Sequence, residues 1–273
     1  MTSTTLSEKL SKKRDAVIQH LKKLGSVLVA LSGGVDSAVV AALAFEALGD
    51  KAIAVTFDSP LTPPGELEDA IACVRVIGIR HRIETSDEVA IASIADNPRD
   101  RCYYCKQHRF RQTLNLAEEL GIATVVDGTT LSDMSEYRPG LRALETLGIA
   151  SPLLEAKVTK EESRQLARFL GLPVADKPSN SCLATRIPYG EPLTHKRLQR
   201  IAAAELAVRQ LVDVKALRVR DHGELARIEV VPKDLSRFVD TRIAGRLVKK
   251  LQALGFKYVT LDLKGYRFGS FDE

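Results

Sequence analysis

A pair of cysteines is the first feature of this 273-residue chain that could do chemistry. Cys102 and Cys105 have the C-x2-C spacing, at which two thiolates can bind one metal ion or form one disulfide. A tetrahedral zinc site usually has four ligands, and the chain has no second C-x2-C pair. Cys73, Cys182 and His108 are the remaining candidate ligands. The pair alone therefore leaves metal binding and redox chemistry open.

The other two cysteines lie in contrasting surroundings. Cys73 lies in "DAIACVRVIG", among apolar residues with helical spacing, and we interpret it as a structural core residue. Cys182 lies in the polar, proline-flanked stretch "KPSNSCLATRIPYG", with Arg186 four residues further on. Cys182 is therefore the better candidate for chemistry.

A glycine-rich loop is the most informative motif. In "VLVALSGGVDSAVVAALA" an apolar strand ends at Ser32-Gly33-Gly34-Val35-Asp36-Ser37, and a helix begins at once. The glycines allow a tight turn, and the helix N-terminus directs free N–H groups and a positive dipole at an anion, to which Ser32 and Ser37 can add hydroxyl donors. The loop is neither a Walker A motif nor a G-x-G-x-x-G fingerprint. A plain strand-to-helix turn with Asp36 as a cap is the alternative.

A second polar cluster, "VVDGTTLSDMSEYRPG", follows another predicted strand. Open α/β sheets bind ligands at the carboxyl ends of their strands. Asp127 and Asp133 could bind Mg²⁺, which prefers hard oxygen ligands, or polar groups of a ligand. Helix capping explains either carboxylate equally well.

Helices and strands must position these motifs, and hydrophobic periodicity predicts where those elements lie. Strands are predicted at 26–31, 52–57, 78–84 and 123–128, and helices near 37–48, 65–77, 107–120 and 159–170. Near-continuous apolar strands separated by helices indicate a doubly wound parallel α/β sheet, covering about residues 1–175. Residues 176–273 are predicted to form a smaller α+β domain with the order α-β-β-α-β: helix 194–211, two strands around a turn at 222–224, helix 237–254 and strand 257–263.

Composition sets broad limits. Hydrophobic residues make up 45% and charged residues 27% of the chain, as in soluble globular proteins. The net charge of +5, from 40 basic and 35 acidic residues, suits a nucleotide better than a nucleic acid. The chain begins with an amphipathic helix pattern, and no apolar run approaches the ~20 residues that span a bilayer. We therefore expect a cytoplasmic protein without a membrane partner, with reduced thiols.

The glycine-rich loop resembles the SGG-x-DS loop of the ATP pyrophosphatases, which split ATP into AMP and pyrophosphate while adenylating a substrate. The second cluster resembles the Asp-Gly-Thr-Asn segment of NAD synthetase-like members, with Thr130 at the position of the usual Asn. The resemblance implies that Asp36 is catalytic and that Asp36 and Asp133 hold Mg²⁺. It implies an ATP site formed by Ser32, Gly33, Gly34, Asp36, Ser37, Phe57, Ser59, Asp127, Gly128 and Thr129.

Over nearly its whole length the chain resembles the LarE family of ATP-dependent sulfur transferases. The motifs, in order, are the loop, "DGTTLSD", "EYRPG", "CLATRIPYG", "RVRDHGELARIE" and "LDLKGYRFGS". This resemblance implies adenylation of a carboxylate of pyridinium-3,5-biscarboxylic acid mononucleotide, followed by displacement of AMP by sulfur, in synthesis of the nickel-pincer nucleotide cofactor. It implies that substrate phosphate is bound, or the site shaped, by Arg186, Arg218, Arg220 and Glu229, with Glu205 matching less securely. A solvated basic strand face is the alternative for Arg218 and Arg220.

Two sulfur sources are known in that family. Some members sacrifice the sulfur of a cysteine that matches Cys182. Others use three cysteines, here Cys102, Cys105 and Cys182, to hold a 4Fe-4S cluster whose fourth iron can carry hydrosulfide. We favour the cluster; the sacrificial cysteine and a zinc site remain alternatives. Homo-oligomers and functional partners in nickel-pincer cofactor synthesis are also implied.

Three other functions remain as alternatives. A tRNA thiolase shares the loop and can share the cluster, but no basic, aromatic-interleaved RNA-binding module is evident. A non-catalytic nucleotide-binding or zinc-stabilised protein would release neither AMP nor pyrophosphate. NAD synthetase or another amide-forming ligase would not explain three cysteines.

Overall fold

The computed structural model describes residues 6–135, 139–214 and 216–267; parts of the "EYRPG" and "GYRFGS" motifs lie outside these ranges. The described chain divides into two compact units. The first unit contains the residues up to Ser59, Gly65–Ser86 and Asp100–Ser179. The second contains Pro60–Pro64, Asp87–Arg99 and the residues from Asn180 onward. The domain limits 1–175 and 176–273 remain a prediction.

The first unit is built on a four-stranded, fully parallel sheet. Its strands are β1 (Val27–Ala30), β2 (Ala52–Asp58), β3 (Arg80–Thr85) and β4 (Thr124–Val126), in the order β3-β2-β1-β4. Side chains on alternate positions of β1 pack into different hydrophobic clusters: Val27 and Val29 into one, Leu28 into the other. This arrangement confirms the predicted doubly wound α/β fold. From β1 the chain continues to β2 and β3 on one side, and β4 then lies on the other side of β1. Open α/β sheets bind ligands at the carboxyl ends of the strands where the order reverses in this way.

Helices cover both faces of this sheet. They are α1 (Glu8–Leu24), α2 (Val35–Leu48), α3 (Glu66–Ile77), α5 (Arg101–Glu119), α6 (Gly140–Thr146), α7 (Pro152–Glu155) and α8 (Lys160–Phe169). Residues of α1, α2, α3 and α8 belong to the cluster of Val27 and Val29, and residues of α5 and α6 to that of Leu28. Among the described residues, no helix is long and apolar enough to cross a membrane.

The start of α5 corrects the sequence prediction. Helix was predicted from residue 107, but α5 begins at Arg101, so Cys102 and Cys105 lie in its first turns. The apolar periodicity that marks a buried helix face begins only at Phe110, because the preceding residues are polar, aromatic or cysteine and mostly half-buried. Hydrophobic periodicity therefore could not reveal these turns.

The second unit has the predicted α-β-β-α-β order. Its elements are α9 (His195–Leu211), β5 (Leu217–His222), β6 (Leu225–Val230), α10 (Thr241–Ala253) and β7 (Tyr258–Leu261), with α4 (Ala92–Ala95) from an earlier segment. β5 pairs antiparallel with β6, and β7 parallel with β6. The helix predicted from 237 begins at Thr241, because the Asp240 side chain accepts hydrogen bonds from the N–H groups of Arg242 and Ile243.

A capping box fixes the start of α8. The Thr159 hydroxyl accepts from the Glu162 N–H at 3.2 Å, and the Glu162 carboxylate accepts from the Thr159 N–H at 2.9 Å. We predict that Thr159→Ala lowers the free energy of unfolding by about 1 kcal/mol, measured by urea denaturation. Thr146→Ala, on the exposed end of α6, should cost less; equal losses for both variants would contradict the capping role.

Candidate active site

The loop between β1 and α2 is closed by its own serine hydroxyls. Ser37 Oγ donates to the Gly34 carbonyl at 3.1 Å and accepts from the Ser32 N–H at 3.2 Å. The Ser32 hydroxyl lies 3.1 Å from Ser37 Oγ and accepts from the Gly34 N–H at 3.4 Å. The loop is thus preformed at the N-terminus of a 14-residue helix, the geometry that favours an anion.

Two glycines let neighbouring backbone approach this loop. Gly33 has φ +78°, and a Cβ on it would lie 2.1 Å from the Glu66 carbonyl oxygen. A Cβ on Gly128, just after β4, would lie 2.6 Å from the Ser37 nitrogen. Only glycine fits at either position, so the loop after β4 packs directly on the first turn of α2.

The polar residues after β4 organise their own segment. Asp127 accepts from the Thr129 N–H at 3.1 Å and from the Ser151 hydroxyl at 2.6 Å. Thr130, at the position where NAD synthetase-like proteins have Asn, donates to Asp133 from both its N–H and its hydroxyl at 2.8 Å. Asp127 therefore has a turn-forming role, and Thr130 positions a carboxylate.

Asp36, Asp133 and Lys160 are charged groups close to the first turn of α2. Burial, and then the charge of Asp133, raises the pKa of Asp36; the Ser163 hydroxyl, Lys160 and Arg164 act in the opposite direction. Lys160 Nζ lies 3.1 Å from Asp133 Oδ1. Asp36 is half-buried and Asp133 buried, and carboxylate oxygens that act on each other in this way are ligands of the kind that Mg²⁺ prefers, so the residues fit that ion.

Lys177 also reaches the loop, and no sequence motif indicated it. Its ammonium donates to the Gly33 carbonyl at 3.1 Å and pairs with Glu66 at 2.7 Å and Asp69 at 2.6 Å. The residue lies in an irregular stretch after α8, far from the glycine-rich loop in the sequence. The contact joins residues 144 positions apart, which no local pattern could reveal.

The remaining predicted nucleotide contacts lie at the end of β2. Phe57 is half-buried near the end of the strand, and Ser59 is buried immediately after it. The carboxyl end of β2 is next to that of β1, so both residues lie on the loop's side of the sheet. Their place in the ATP site remains a prediction.

The cysteines fall into different structural settings. Cys102 and Cys105 are three residues apart on α5, and therefore share a helix face, and both are half-buried. Cys73 is buried in the core of the first unit, and burial, together with the nearby charge of Asp69, raises the pKa of its thiol to about 11. That confirms Cys73 as a structural residue. Among the described residues, no group of three or more His, Cys, Asp or Glu side chains is gathered around a common point suited to a metal ion.

Cys182 lies in the second unit, where a buried arginine holds its backbone. It precedes a 3-10 turn at Leu183–Arg186. Arg186 is fully buried and donates to the carbonyls of Ser181 at 2.7 Å and Cys182 at 3.1 Å. Its Nε donates to Glu205 at 2.8 Å. The carbonyl of Cys182 also accepts from the Thr185 hydroxyl at 2.8 Å, so the backbone bearing the thiol is fixed from several sides.

The other predicted substrate residues extend this buried cluster. Arg218 and Arg220 are only 3% and 5% exposed, so the alternative of a solvated basic strand face is wrong. Arg220 donates to Glu229 at 2.8 Å and to the Thr185 carbonyl. Burial, and then the charge of Arg186, lowers the pKa of Arg218 to about 10. Burial opposes ionisation of Glu205, but Arg186 and the other nearby arginines hold its pKa below the ordinary value.

This cluster is therefore a candidate anion site. It contains three buried arginines, Arg186, Arg218 and Arg220, against two buried glutamates, Glu205 and Glu229. Burial and the charge of Arg186 disfavour the charged form of Arg218, and an anion bound beside these guanidinium groups would stabilise their charge.

Comparison with known proteins shows which family the chain resembles along its length. A family model described as NAD synthase matches residues 9–185, which include the loop, the C-x2-C pair and Cys182. An uncharacterised protein of Synechocystis is 43% identical over 95% of this chain and 97% of its own length. A subunit of the glutamine-hydrolysing GMP synthase of Archaeoglobus fulgidus is 32% identical, but over only 57% of this chain and 54% of its own.

One relative combines a named activity with a match over the full length. Pyridinium-3,5-bisthiocarboxylic acid mononucleotide synthase of Lactiplantibacillus plantarum, a LarE protein, is 36% identical over 97% of this chain and 95% of its own length. The chain belongs to the LarE family. As a LarE-family protein it is an enzyme of the ATP pyrophosphatase superfamily. The predicted family is thereby confirmed. Nucleotide binding by the loop at Ser32 to Ser37 remains a prediction.

Backbone packing at Gly128 generates one prediction. Gly128→Ala would force a methyl group against Ser37, so we expect a loss of about 1–3 kcal/mol in the free energy of unfolding and weaker binding of an ATP analogue. Urea denaturation and calorimetric titration measure the two effects. Gly245→Ala, on the exposed side of α10 with open space around it, should instead gain up to about 1 kcal/mol. A neutral Gly128→Ala variant would show that the close approach is not required.

The raised pKa of Asp36 leads to a prediction about how stability depends on pH. A carboxyl group whose pKa is higher in the folded protein stabilises the fold only below its ordinary pKa of 3.8, and loses that contribution as pH rises through the raised value. Asp36→Asn should therefore be more stable than wild type near pH 7, with the gap narrowing as pH falls toward 3.8, while catalysis is lost. Denaturation midpoints at several pH values test this, with the exposed Asp15→Asn as control. A less stable Asp36→Asn protein near pH 7 would refute it.

Proposed function

We propose that this LarE-family protein uses ATP to adenylate a carboxylate of pyridinium-3,5-biscarboxylic acid mononucleotide and then replaces oxygen by sulfur. The product would be the thiocarboxylate of the nickel-pincer nucleotide precursor. The observation that carries the proposal is the full-length match to a synthase of the bisthiocarboxylic mononucleotide. A preformed anion loop and a cysteine on a buried arginine cluster, in the same chain, are the parts such a reaction needs.

The first step would take place at the loop. A substrate carboxylate oxygen attacks the α-phosphorus of ATP, the bond to the β-phosphate oxygen breaks, and pyrophosphate leaves. The N-terminus of α2 would bind the phosphates through its free N–H groups, which point to where negative charge develops. Asp36 and Asp133 would hold Mg²⁺, which supplies neutralisation of charge on the phosphoryl groups. Adenylation matters because oxide is a poor leaving group, whereas AMP is a good one.

The buried arginines would bind the phosphate of the substrate mononucleotide. Arg218 is the residue whose environment most favours an added anion, since burial and Arg186 both disfavour its charge. Glu205 and Glu229 would hold the guanidinium groups in place rather than contact the anion, because carboxylates repel an anion and each is paired with arginine. This gives Arg186 and Arg220 a second role, as the supports of the turn that carries Cys182.

The second step needs sulfur, and we propose Cys102, Cys105 and Cys182 as ligands of a 4Fe-4S cluster. Two thiols on one face of α5 suit neighbouring corners of a cluster, so the pair fits the group. When bound, the cluster would supply a place at which inorganic sulfide is held for transfer. Sulfide attack on the acyl carbon then breaks the bond to the phosphate oxygen and releases AMP.

Further proposals concern the state of the protein in the cell. We propose a cytoplasmic homo-oligomer that acts with other proteins of nickel-pincer cofactor synthesis.

The decisive experiment is an anaerobic assay with ATP, Mg²⁺, sulfide and the biscarboxylated mononucleotide. We expect release of AMP and pyrophosphate and a product in which oxygen is replaced by sulfur, measured by mass spectrometry. Absence of AMP release with this substrate would contradict the proposed activity.

The same preparation tests the sulfur source. Reconstitution with iron and sulfide should give a broad visible absorbance that Cys102→Ala abolishes and Cys73→Ala, the buried control, retains. An iron-free, colourless protein would refute the cluster. A loss of about 34 Da at Cys182 after turnover would instead identify this residue as the sulfur donor.

A further inference from the structure

The ammonium group of Lys177 lies where a cation is not needed to close the phosphate loop. The loop is already closed by the hydroxyls of Ser32 and Ser37. Lys177 nevertheless donates to the Gly33 carbonyl at 3.1 Å, and its ammonium is held on the other side by Glu66 and Asp69. The side chains of Lys177 and Glu66 are only 18% and 10% exposed, so their contact is largely shielded from water, whereas Asp69 is half-exposed. Removing charged groups from water costs free energy, so we expect a function of the lysine at this position.

The backbone that carries Lys177 is itself anchored. Its N–H donates to the Val174 carbonyl at 3.0 Å. Arg164, on α8, donates to the carbonyls of Lys177 at 2.7 Å and Ala175 at 3.1 Å. The ammonium therefore reaches the loop from a fixed point, which a merely screening surface lysine would not require.

The peptide group between Gly33 and Gly34 is the part that Lys177 can control. In a planar trans peptide the carbonyl and the N–H point in opposite directions. The Gly33 carbonyl faces Lys177, so the Gly34 N–H faces away from it, into the loop, where it lies 3.4 Å from Ser32 Oγ. An N–H in that position is a donor for a bound phosphate.

Two consecutive glycines make this peptide easy to turn over. A flip changes ψ of Gly33 and φ of Gly34, and glycine tolerates either sign of φ. Gly33 has φ +78° and Gly34 has φ −87°. Because both residues are glycine, no Cβ atom resists the change. A flipped peptide would present a carbonyl oxygen to the phosphates in place of an N–H, which repels the anion. The close approach of Glu66 requires glycine at position 33 and so leaves this peptide free to turn. The long hydrogen bond from the Gly34 N–H to Ser32 and the contact of Lys177 with the Gly33 carbonyl oppose that freedom.

We propose that Lys177 is a positioning residue that locks the Gly33–Gly34 peptide with its N–H directed at the phosphates of ATP. The inference rests on the proposed binding of ATP at this loop. Glu66 and Asp69 serve the lock by holding the ammonium, and they do not contact the nucleotide. A lysine that acted only by touching phosphate would leave the free protein's loop unchanged, so the two roles predict different behaviour before any ligand is added.

The test compares Lys177→Met, Lys177→Arg and Lys13→Met. Lys13 is a matched control, because it is also 18% exposed and pairs with a carboxylate, Glu162, in the same unit. Calorimetric titration with α,β-methylene-ATP should show affinity at least about tenfold weaker in Lys177→Met, with adenosine binding unchanged within about twofold. Lys177→Arg should recover part of the loss, and Lys13→Met should match wild type.

Amide NMR on the nucleotide-free protein separates the lock from direct contact. In Lys177→Met the Gly34 N–H signal should shift and broaden from exchange between two peptide orientations. Asp69→Asn, at a half-exposed carboxylate, should move the same signal less, and it remains informative if Lys177→Met folds poorly. Weaker analogue binding with an unchanged Gly34 signal would overturn the inference, as would unchanged binding. A wild-type protein that binds no analogue would overturn the ATP site as well.

Discussion

Backbone-to-backbone contact at two glycines is the constraint on which the rest of the site depends. Gly33 lies against the Glu66 carbonyl, and Gly128 lies against the first turn of α2 at Ser37. No side chain fits in either gap, so the walls of the anion loop are peptide groups rather than side chains. The sheet order makes this possible, because β1 lies between β2 and β4 and their carboxyl ends meet around the loop. The consequence is a loop whose backbone N–H groups are held in fixed positions.

Each of the two units contains an ionisable group whose charged form the fold disfavours, a carboxylate in the first unit and a guanidinium in the second. In the first, burial and Asp133 raise the pKa of Asp36, so the folded protein disfavours the carboxylate. In the second, burial and Arg186 lower the pKa of Arg218 to about 10, so the fold disfavours that cation. A magnesium ion would relieve the first and a phosphate the second. Such groups lower the free energy of unfolding of the ligand-free protein, and a bound ion of opposite charge would raise it again. Groups of this kind are typical of functional sites.

The sequence predicted the features that repeat along the chain and missed those that depend on contacts in space. Alternating apolar runs predicted the four parallel strands, and loop-to-helix spacing placed Ser32 to Ser37 correctly after β1. The first turns of α5 were missed because Arg101 to Arg109 lack an apolar stripe. Lys177 was missed because its partner Gly33 is 144 residues away. The arginines of β5 could be assigned to one strand, but only the folded chain distinguishes a buried cluster from a solvated face.

The turn at Cys182 suits either source of sulfur, so the choice depends on α5. Loss of hydrogen sulfide from a cysteine removes the Cα proton, and the charge that develops passes to the carbonyl oxygen of the same residue. That oxygen accepts from Arg186 and Thr185, which would stabilise such charge as readily as they fix the backbone of a metal ligand. A protein that sacrifices Cys182 has no use for two more thiols on one face of a helix. Cys102 and Cys105 are half-buried on such a face, outside the core that accounts for Cys73, and on this observation we propose the cluster rather than the sacrifice of Cys182.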